Sequence, residues 1–415
     1  MPFSAGPNIA ARPNLVFEYD TGDVQNSYRG KPTTNFYTNG QFANGAGIPQ
    51  EQGSNPTNTI IFFPNNPGNS QYVLQQNGNY TEYQIDLTSQ LVSNTTYVMS
   101  GWYAQSSDYN GSPTMFHARA FSASGNHNAT GTGLGTILTT RTVGNTTWSY
   151  CYQTITTPSD YSNYFNWYVG YGQPSHNGYR YYTNLQMELG SFPSQFVDGT
   201  RSATQGLLDV SGQGNLINLS NVSFTNTAFP QMYFDGTDDL ITLGSINQYF
   251  APQVGGVSTE TVFLITPGAS GNDGPLFENY RYNVWYVYGS DLINFYTRTG
   301  PPTYPSYAFA VSMQSSIACR AKGLYNHLVS VYETISGGTG KVSLYINGQA
   351  AGTSTGLEMG NYPLFDPMIG QSYHGGYGTF RLNGQVPITR VYNRALSAQE
   401  VLRNYNQLKG RFNLI

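Results

Sequence analysis

Charge is the first thing this sequence lacks. Of its 415 residues only 10% are charged, 18 basic against 22 acidic. No run of Lys or Arg could displace counterions from a phosphate backbone, so nucleic acid is not an expected partner. Cysteine is nearly missing too. Cys151 and Cys319 each lie inside an apolar or aromatic stretch, which predicts two buried free thiols rather than a disulfide. No apolar run approaches the ~20 residues that span a bilayer, which argues against membrane insertion. The opening Met-Pro-Phe-Ser-Ala-Gly lacks the charged start and apolar stretch of a signal peptide, so synthesis and folding in the cytoplasm are expected.

Catalytic constellations are equally scarce. His117, His127, His176, His327 and His374 show no pair at metal-ligand spacing, and neither a Gly-x-Ser-x-Gly elbow nor a phosphate loop occurs. Glycoside hydrolysis needs two carboxyl groups at a set separation. The one Glu-x-Asp, Glu18-Tyr-Asp20, runs on to Asp23 without the further Glu of a Glu-x-Asp-x-x-Glu strand. The expectation is a protein that is not an enzyme.

What the chain has in excess is Gly (47), Tyr (35) and long runs of Asn, Ser and Thr. These suit strands, tight turns and neutral surfaces. Period-two alternation recurs in Leu15–Tyr19, Tyr97–Tyr103, Phe165–Val169, Thr261–Ile265, Leu328–Tyr332 and Val342–Ile346, and strands so spaced predict β-sandwiches. Asn347-Gly348 between two such runs predicts a primed hairpin turn. One helix is expected, capped by Ser397 with Glu400 closing a capping box, with Val401, Leu402, Tyr405 and Leu408 on its apolar face. The length exceeds one core, so two domains are expected. The fold class is therefore all-β: two antiparallel jelly-roll sandwiches and a short C-terminal helix.

Two resemblances sharpen this. Tyr233-Phe-Asp-Gly-Thr-Asp-Asp239, the Leu328–Tyr332 strand, the hairpin at Gly348 and the ending Phe380 to Glu400 resemble the laminin-G-like, concanavalin A-type jelly rolls of phage and bacterial surface proteins. Asn35-Phe-Tyr-Thr-Asn-Gly-Gln-Phe42, Tyr97–Tyr103, Trp148 and Leu185-Gln-Met-Glu-Leu-Gly190 resemble jelly-roll carbohydrate-binding modules, although Thr183-Asn184 replace the Asp usual before the closing strand. In the laminin-G-like phage proteins a Leu-Val-x-x-Tyr-Asp strand leads soon to a Ser-Gly-x-Gly-Asn turn. Here Leu15–Asp20 and Asp209–Asn215 match those pieces, with the binding-module sequence between them. This implies an N-terminal arm over 1–13, a discontinuous laminin-G-like domain over 14–34 and 199–412, and an inserted module over 35–198, a tolerated arrangement where domain termini are exposed.

The resemblances imply a phage virion surface protein, a tail fibre, adhesin or capsid decoration. Its partners would be other virion proteins, further copies of itself, and cell-surface or environmental glycans. The alternatives are a purely structural cement protein and, further off, a secreted polysaccharide-active protein. Sugars stack apolar faces on flat rings beside amides. Candidate glycan-binding residues are therefore Trp102, Tyr103, Tyr179, Tyr181 and Tyr182, with Trp285, Tyr286, Tyr288, Tyr373, His374 and Tyr377 in the second domain. No organic cofactor is expected. Calcium is the one ion to consider, at Asp235, Asp238 and Asp239, although that sequence is first a turn signal.

Overall fold

The computed structural model describes residues 12–43, 51–52, 57–68, 70–77, 82–122, 125–128, 133–170, 176–225, 231–244, 246–250, 255–271, 273–279, 281–297, 310–336, 339–358, 366–372 and 380–414. These fall into two compact units. One holds the described residues within 1–31, 202–225 and 231–415, the other those within 32–201.

The first unit is a sandwich of an eight-stranded and a seven-stranded antiparallel sheet. Near one edge of the larger sheet, Asn383–Tyr392 takes both Leu15–Asp20 and Met232–Asp235 along one side and Gly256–Ile265 along the other. The core lies between the sheets, where Phe17, Phe234, Phe263 and Leu344 meet Leu276, Val284, Ile293 and Phe295. Alternation on each strand puts these side chains on one face, and their burial is the main stabilising contribution.

The other face of the eight-stranded sheet carries a buried ion network. Arg390 donates to Glu18 at 2.8 Å and to Glu260 at 3.0 Å, and His327, Tyr392 and Asn404 also bond Glu260. Burial alone would push the Glu260 carboxyl up, but Arg390 first and then His327 draw it down to about 2. Burial outweighs Arg390 at Glu18 and raises its pKa. These carboxylates are tied to structure, and Asp20 is likewise held by Arg411.

The helix Ala398–Phe412 begins as its sequence predicts, with Ser397 as N-cap and Glu400 completing the capping box. Its buried side chains are Val401, Asn404, Tyr405, Leu408 and Phe412. Leu402 is exposed instead of facing inward, because at 3.6 residues per turn it lies about 100° round the helix from Val401, outside the buried face on which Asn404 bonds Glu260 and Tyr392. The Asn347-Gly348 turn has φ of 50° and 76°, both on the positive side that a primed turn requires. Both cysteines are buried and unpaired.

The second unit packs a six-stranded sheet on a five-stranded one. Leu74, Met99, Tyr103, Cys151, Tyr182 and Leu185 meet Tyr83, Ile85, Ala118, Phe165 and Trp167 in its core. The chain enters on Thr33–Thr34 and leaves on Thr200–Arg201, and these two strands pair with each other. Asn184 sits at φ 52° within the bulge between Thr183 and Gln186. There it shapes the backbone, as Asn tolerates that region.

Candidate functional site

Most of the aromatic residues singled out in the sequence build cores. Tyr103 and Tyr182 pack 5.6 Å apart inside the second unit. Tyr286 and Tyr288 lie in the core of the first, and Trp285, 1% exposed, is wedged between Tyr296 and Phe380. Tyr181 is buried against Phe63 and Trp148. Rings covered on both faces cannot stack on a sugar, so Tyr103, Tyr181, Trp285 and Tyr286 do not form a glycan platform in this conformation. Trp102 is half-buried beside Tyr150, and Tyr179 keeps 38% of its surface. Tyr373, His374 and Tyr377 lie outside the described residues.

The three acidic residues do converge, with one carboxylate oxygen from each of Asp235, Asp238 and Asp239 within 4.8 Å of the others. Their hydrogen bonds account for the arrangement. Asp239 accepts from the Asp235 and Ser223 sides, Asp235 from the Thr237 N–H, and Asp238 from Asn221. Calcium takes six to eight oxygens, and this group serves first to fold the turn at Gly236, whose φ is 85°.

A different constellation stands on the outer face of the five-stranded sheet in the second unit. Glu82–Asp86, Tyr164–Val169 and Ala118–Ser122 are neighbouring strands there. Their inward residues, Tyr83, Ile85, Phe165, Trp167 and Ala118, fill the core. Alternation therefore turns Glu82, Gln84, Asn166, Tyr168 and Arg119 outward, and His117 stands just before its strand. Register places Tyr168 opposite Gln84, and Asn166 opposite both Asp86 and Arg119.

An outward sheet face is ordinarily wet, yet Glu82, Gln84, His117, Asn166 and Tyr168 are all buried. Arg119 donates from Nε to His117 Nε2 at 3.0 Å and lies 5.6 Å from the Tyr168 ring centre. Asn166 Nδ2 donates to the Tyr168 hydroxyl at 3.2 Å. Burial pushes the Glu82 carboxyl up to about 7 despite Arg119. Burial, then the same guanidinium, hold His117 down to about 4, so its imidazole is neutral at pH 7. Gln84 Oε1 and Asn166 Oδ1, on residues 7% and 4% exposed, accept no hydrogen bond among the described residues. Each buried orphan acceptor costs roughly 1–3 kcal/mol. Beyond them the face opens through half-buried Arg119 to exposed Asp86, beside Phe121 and Tyr164, whose rings lie 5.4 Å apart and within 10° of parallel.

The buried members hold this face in shape, and its open rim of Arg119, Asp86, Phe121 and Tyr164 can exchange hydrogen bonds with a polyhydroxylated ligand while presenting an apolar surface to it. None of its polar members was among the sequence candidates. The signal was in the alternation: Glu82-Tyr-Gln-Ile-Asp86 and Tyr164-Phe-Asn-Trp-Tyr168 both read polar or amphipathic on one face and apolar on the other.

The family described as the concanavalin A-like lectin/glucanases superfamily matches residues 245–402, within the first unit. The chain carries a concanavalin A-like jelly-roll domain. Similar solved structures include the receptor-binding domain of botulinum neurotoxin C/D mosaic serotype, at TM-score 0.35 and 12% identity over 49% of this chain and 48% of that one. The binding domain of botulinum neurotoxin DC, solved in complex with SialylT, gives 0.36 and 11% over 50% of each. The chain thus spans about half the length of these structures. No curated protein matches it. The family match lies wholly in the concanavalin A-like domain, so the polar face of the second unit rests on its own geometry.

Proposed function

We propose that this chain is a non-enzymatic, glycan-binding surface protein of a bacterial virus particle. In this reading the concanavalin A-like domain is largely scaffold, and the outer face of the five-stranded sheet is the sugar site. The observation that carries it is the open rim of that face, where half-buried Arg119 and exposed Asp86 accompany the near-parallel rings of Phe121 and Tyr164. Flat rings beside a guanidinium and a carboxylate offer a sugar both a stacking surface and hydrogen bonds. The virion setting rests on the resemblance of the chain's ending and first strand to phage surface proteins. The non-enzymatic reading is supported by Glu18 and Glu260 being held by Arg390.

A glycan array probed with the full chain tests this. Binding to at least one saccharide is expected, lost at least tenfold in Phe121→Ala and Tyr164→Ala with the thermal transition retained. Binding that survives both substitutions would place the site elsewhere. A second reading, a structural cement protein that binds no sugar, is favoured by the burial of Tyr103, Tyr181, Trp285 and Tyr286 in packed interiors. An array without a single binder, together with the protein's presence in purified particles, would select that version.

A further inference from the structure

The six-stranded sheet of the second unit carries a set of rings on the face turned away from the core. Tyr103, Cys151 and Tyr182 point inward, so alternation turns Trp102, Trp148 and Tyr181 outward. There they form a separate apolar cluster with Val73, Ala104 and Phe63. Register sets Trp102 beside Tyr150 on one strand and Thr183 on another. Tyr179 stacks on Tyr181, with ring centres 6.4 Å apart and planes within 26° of parallel.

This cluster is roofed by the chain that joins Thr57–Phe62 to Tyr72–Asn77. Phe63 rests edge-on against Trp148 at 5.8 Å and lies tilted over Tyr181 at 5.1 Å. Asn65 reaches the turn at the opposite edge of the sheet, where a Cβ built on Gly144 would lie 3.5 Å from its own Cβ. A Cβ on Gly68 would meet the Thr183 hydroxyl at 2.7 Å, so glycine lets the strap lie this close. The strap is held largely by its own bonds, since Asn66 donates to the Phe63 and Ser70 carbonyls and accepts from the Gly68 N–H. Ser70 adds a bond to the Gln41 carbonyl. Beneath the strap, Trp148 Nε1 and Thr183 Oγ1, both on residues with 0% exposure, have no hydrogen-bond partner among the described residues. Buried polar groups are nearly always paired. Closing the strap here takes water from two of them and gives no partner back.

We propose that residues 63–68 are a displaceable strap over a second saccharide site, in which a neutral sugar ring takes the place of the Phe63 ring against Trp148 and Tyr181. The site lies on a different sheet from the open rim, and neither depends on the other. A sugar presents an apolar face to the two rings and hydroxyls to the Trp148 N–H and the Thr183 hydroxyl. Trp102, Trp148, Tyr179, Tyr181 and Thr183 bring no charge, which selects a neutral ring. While the strap is closed, apparent affinity falls by the fraction of molecules that are open.

A reversible lock tests the strap. The Cβ separation of 3.5 Å falls within the ~3.5–4.5 Å that a disulfide needs, so Asn65→Cys with Gly144→Cys ties the strap down when oxidised. The pair is made in a full chain that also carries Phe121→Ala and Tyr164→Ala, which silence the rim, and Cys151 and Cys319 are buried. The probe is an array of neutral oligosaccharides, read on the same protein oxidised and reduced. The reduced form is expected to bind at least one saccharide at least tenfold more tightly than the oxidised form. Phe63→Ala, in the chain with the two rim substitutions alone, is expected to bind that saccharide at least threefold more tightly than the same chain with Phe63. Equal binding in the two redox states overturns the proposal, as does an array without a binder for both the reduced protein and Phe63→Ala. The redox comparison uses one protein with its thermal transition measured in each state, so a folding defect in Phe63→Ala cannot imitate the result. If the unsubstituted chain binds a saccharide and none of these variants does, the rim site stands and the strap site falls.

Discussion

At the residue scale, burial decides what each polar group does. Glu82 and His117 stand on neighbouring parts of one sheet face, yet burial pushes one toward its protonated form and holds the other in its neutral form. The Glu82 pKa in the fold lies above its unfolded value, so the native state binds the extra proton. Its contribution to stability is present below about 4.5 and is lost as pH rises through about 7. Glu82→Gln should therefore flatten that fall and stabilise the protein above pH 7, by something like 1 kcal/mol once solvent screening is allowed for. Thermal unfolding of both proteins at pH 5 and pH 8 measures it, and equal differences at the two pH values would count against a buried proton at Glu82. Sequence reasoning passed over this residue because a lone Glu between a Thr and a Tyr has no local mark. Its significance comes from strands distant in the chain.

At the scale of elements, local signals were legible wherever the chain satisfies itself within a few residues. The Asn347-Gly348 turn and the Ser397 cap need only neighbouring backbone, and both are found. Glu400 shows why: its carboxylate bonds Arg394 at 2.7 Å and the Ser397 N–H at 2.9 Å, and it is drawn down to about 2, Arg394 being the larger cause. A pKa depressed on folding contributes stability above about 4.5 that is lost as pH falls toward about 2. Glu400→Gln should destabilise by ~1 kcal/mol at pH 7, the scale of a lost cap, and by much less at pH 2.5. Urea titrations at both pH values would show it. Leu402 and Asn404 mark the limit of this legibility. Apolarity suggested Leu402 for the inner face, but the buried positions follow Val401, Tyr405, Leu408 and Phe412, and polar Asn404 shares that face because Glu260 on a distant strand gives it a partner.

At the scale of the whole molecule, the chain crosses from one unit to the other on two short strands that pair, Thr33–Thr34 with Thr200–Arg201. Thr33 bonds Glu188, and Arg201 bonds the Gln195 carbonyl, inside the second unit. That unit also has a core of its own. Residues 32–201 expressed alone should therefore fold cooperatively, with a single thermal transition and dispersed amide resonances. A broad, uncooperative melt would mean that the inserted piece depends on its host.

The sequence by itself determined the all-β class, the strands, the hairpin, the helix cap and the free thiols, because each depends on alternation, turn chemistry or capping within a short span. It also marked the matching pieces at Leu15–Asp20 and Asp209–Asn215 that imply an insertion. Only the tertiary structure decided which rings are buried, since Trp285 and Tyr179 look alike in a list of aromatics and differ by what packs over them. It likewise decided that the polar face is assembled from Glu82, Gln84, His117, Arg119, Asn166 and Tyr168. Three strands separated in the chain bring those residues together, and burial leaves two of its amide oxygens without a hydrogen-bond donor among the described residues.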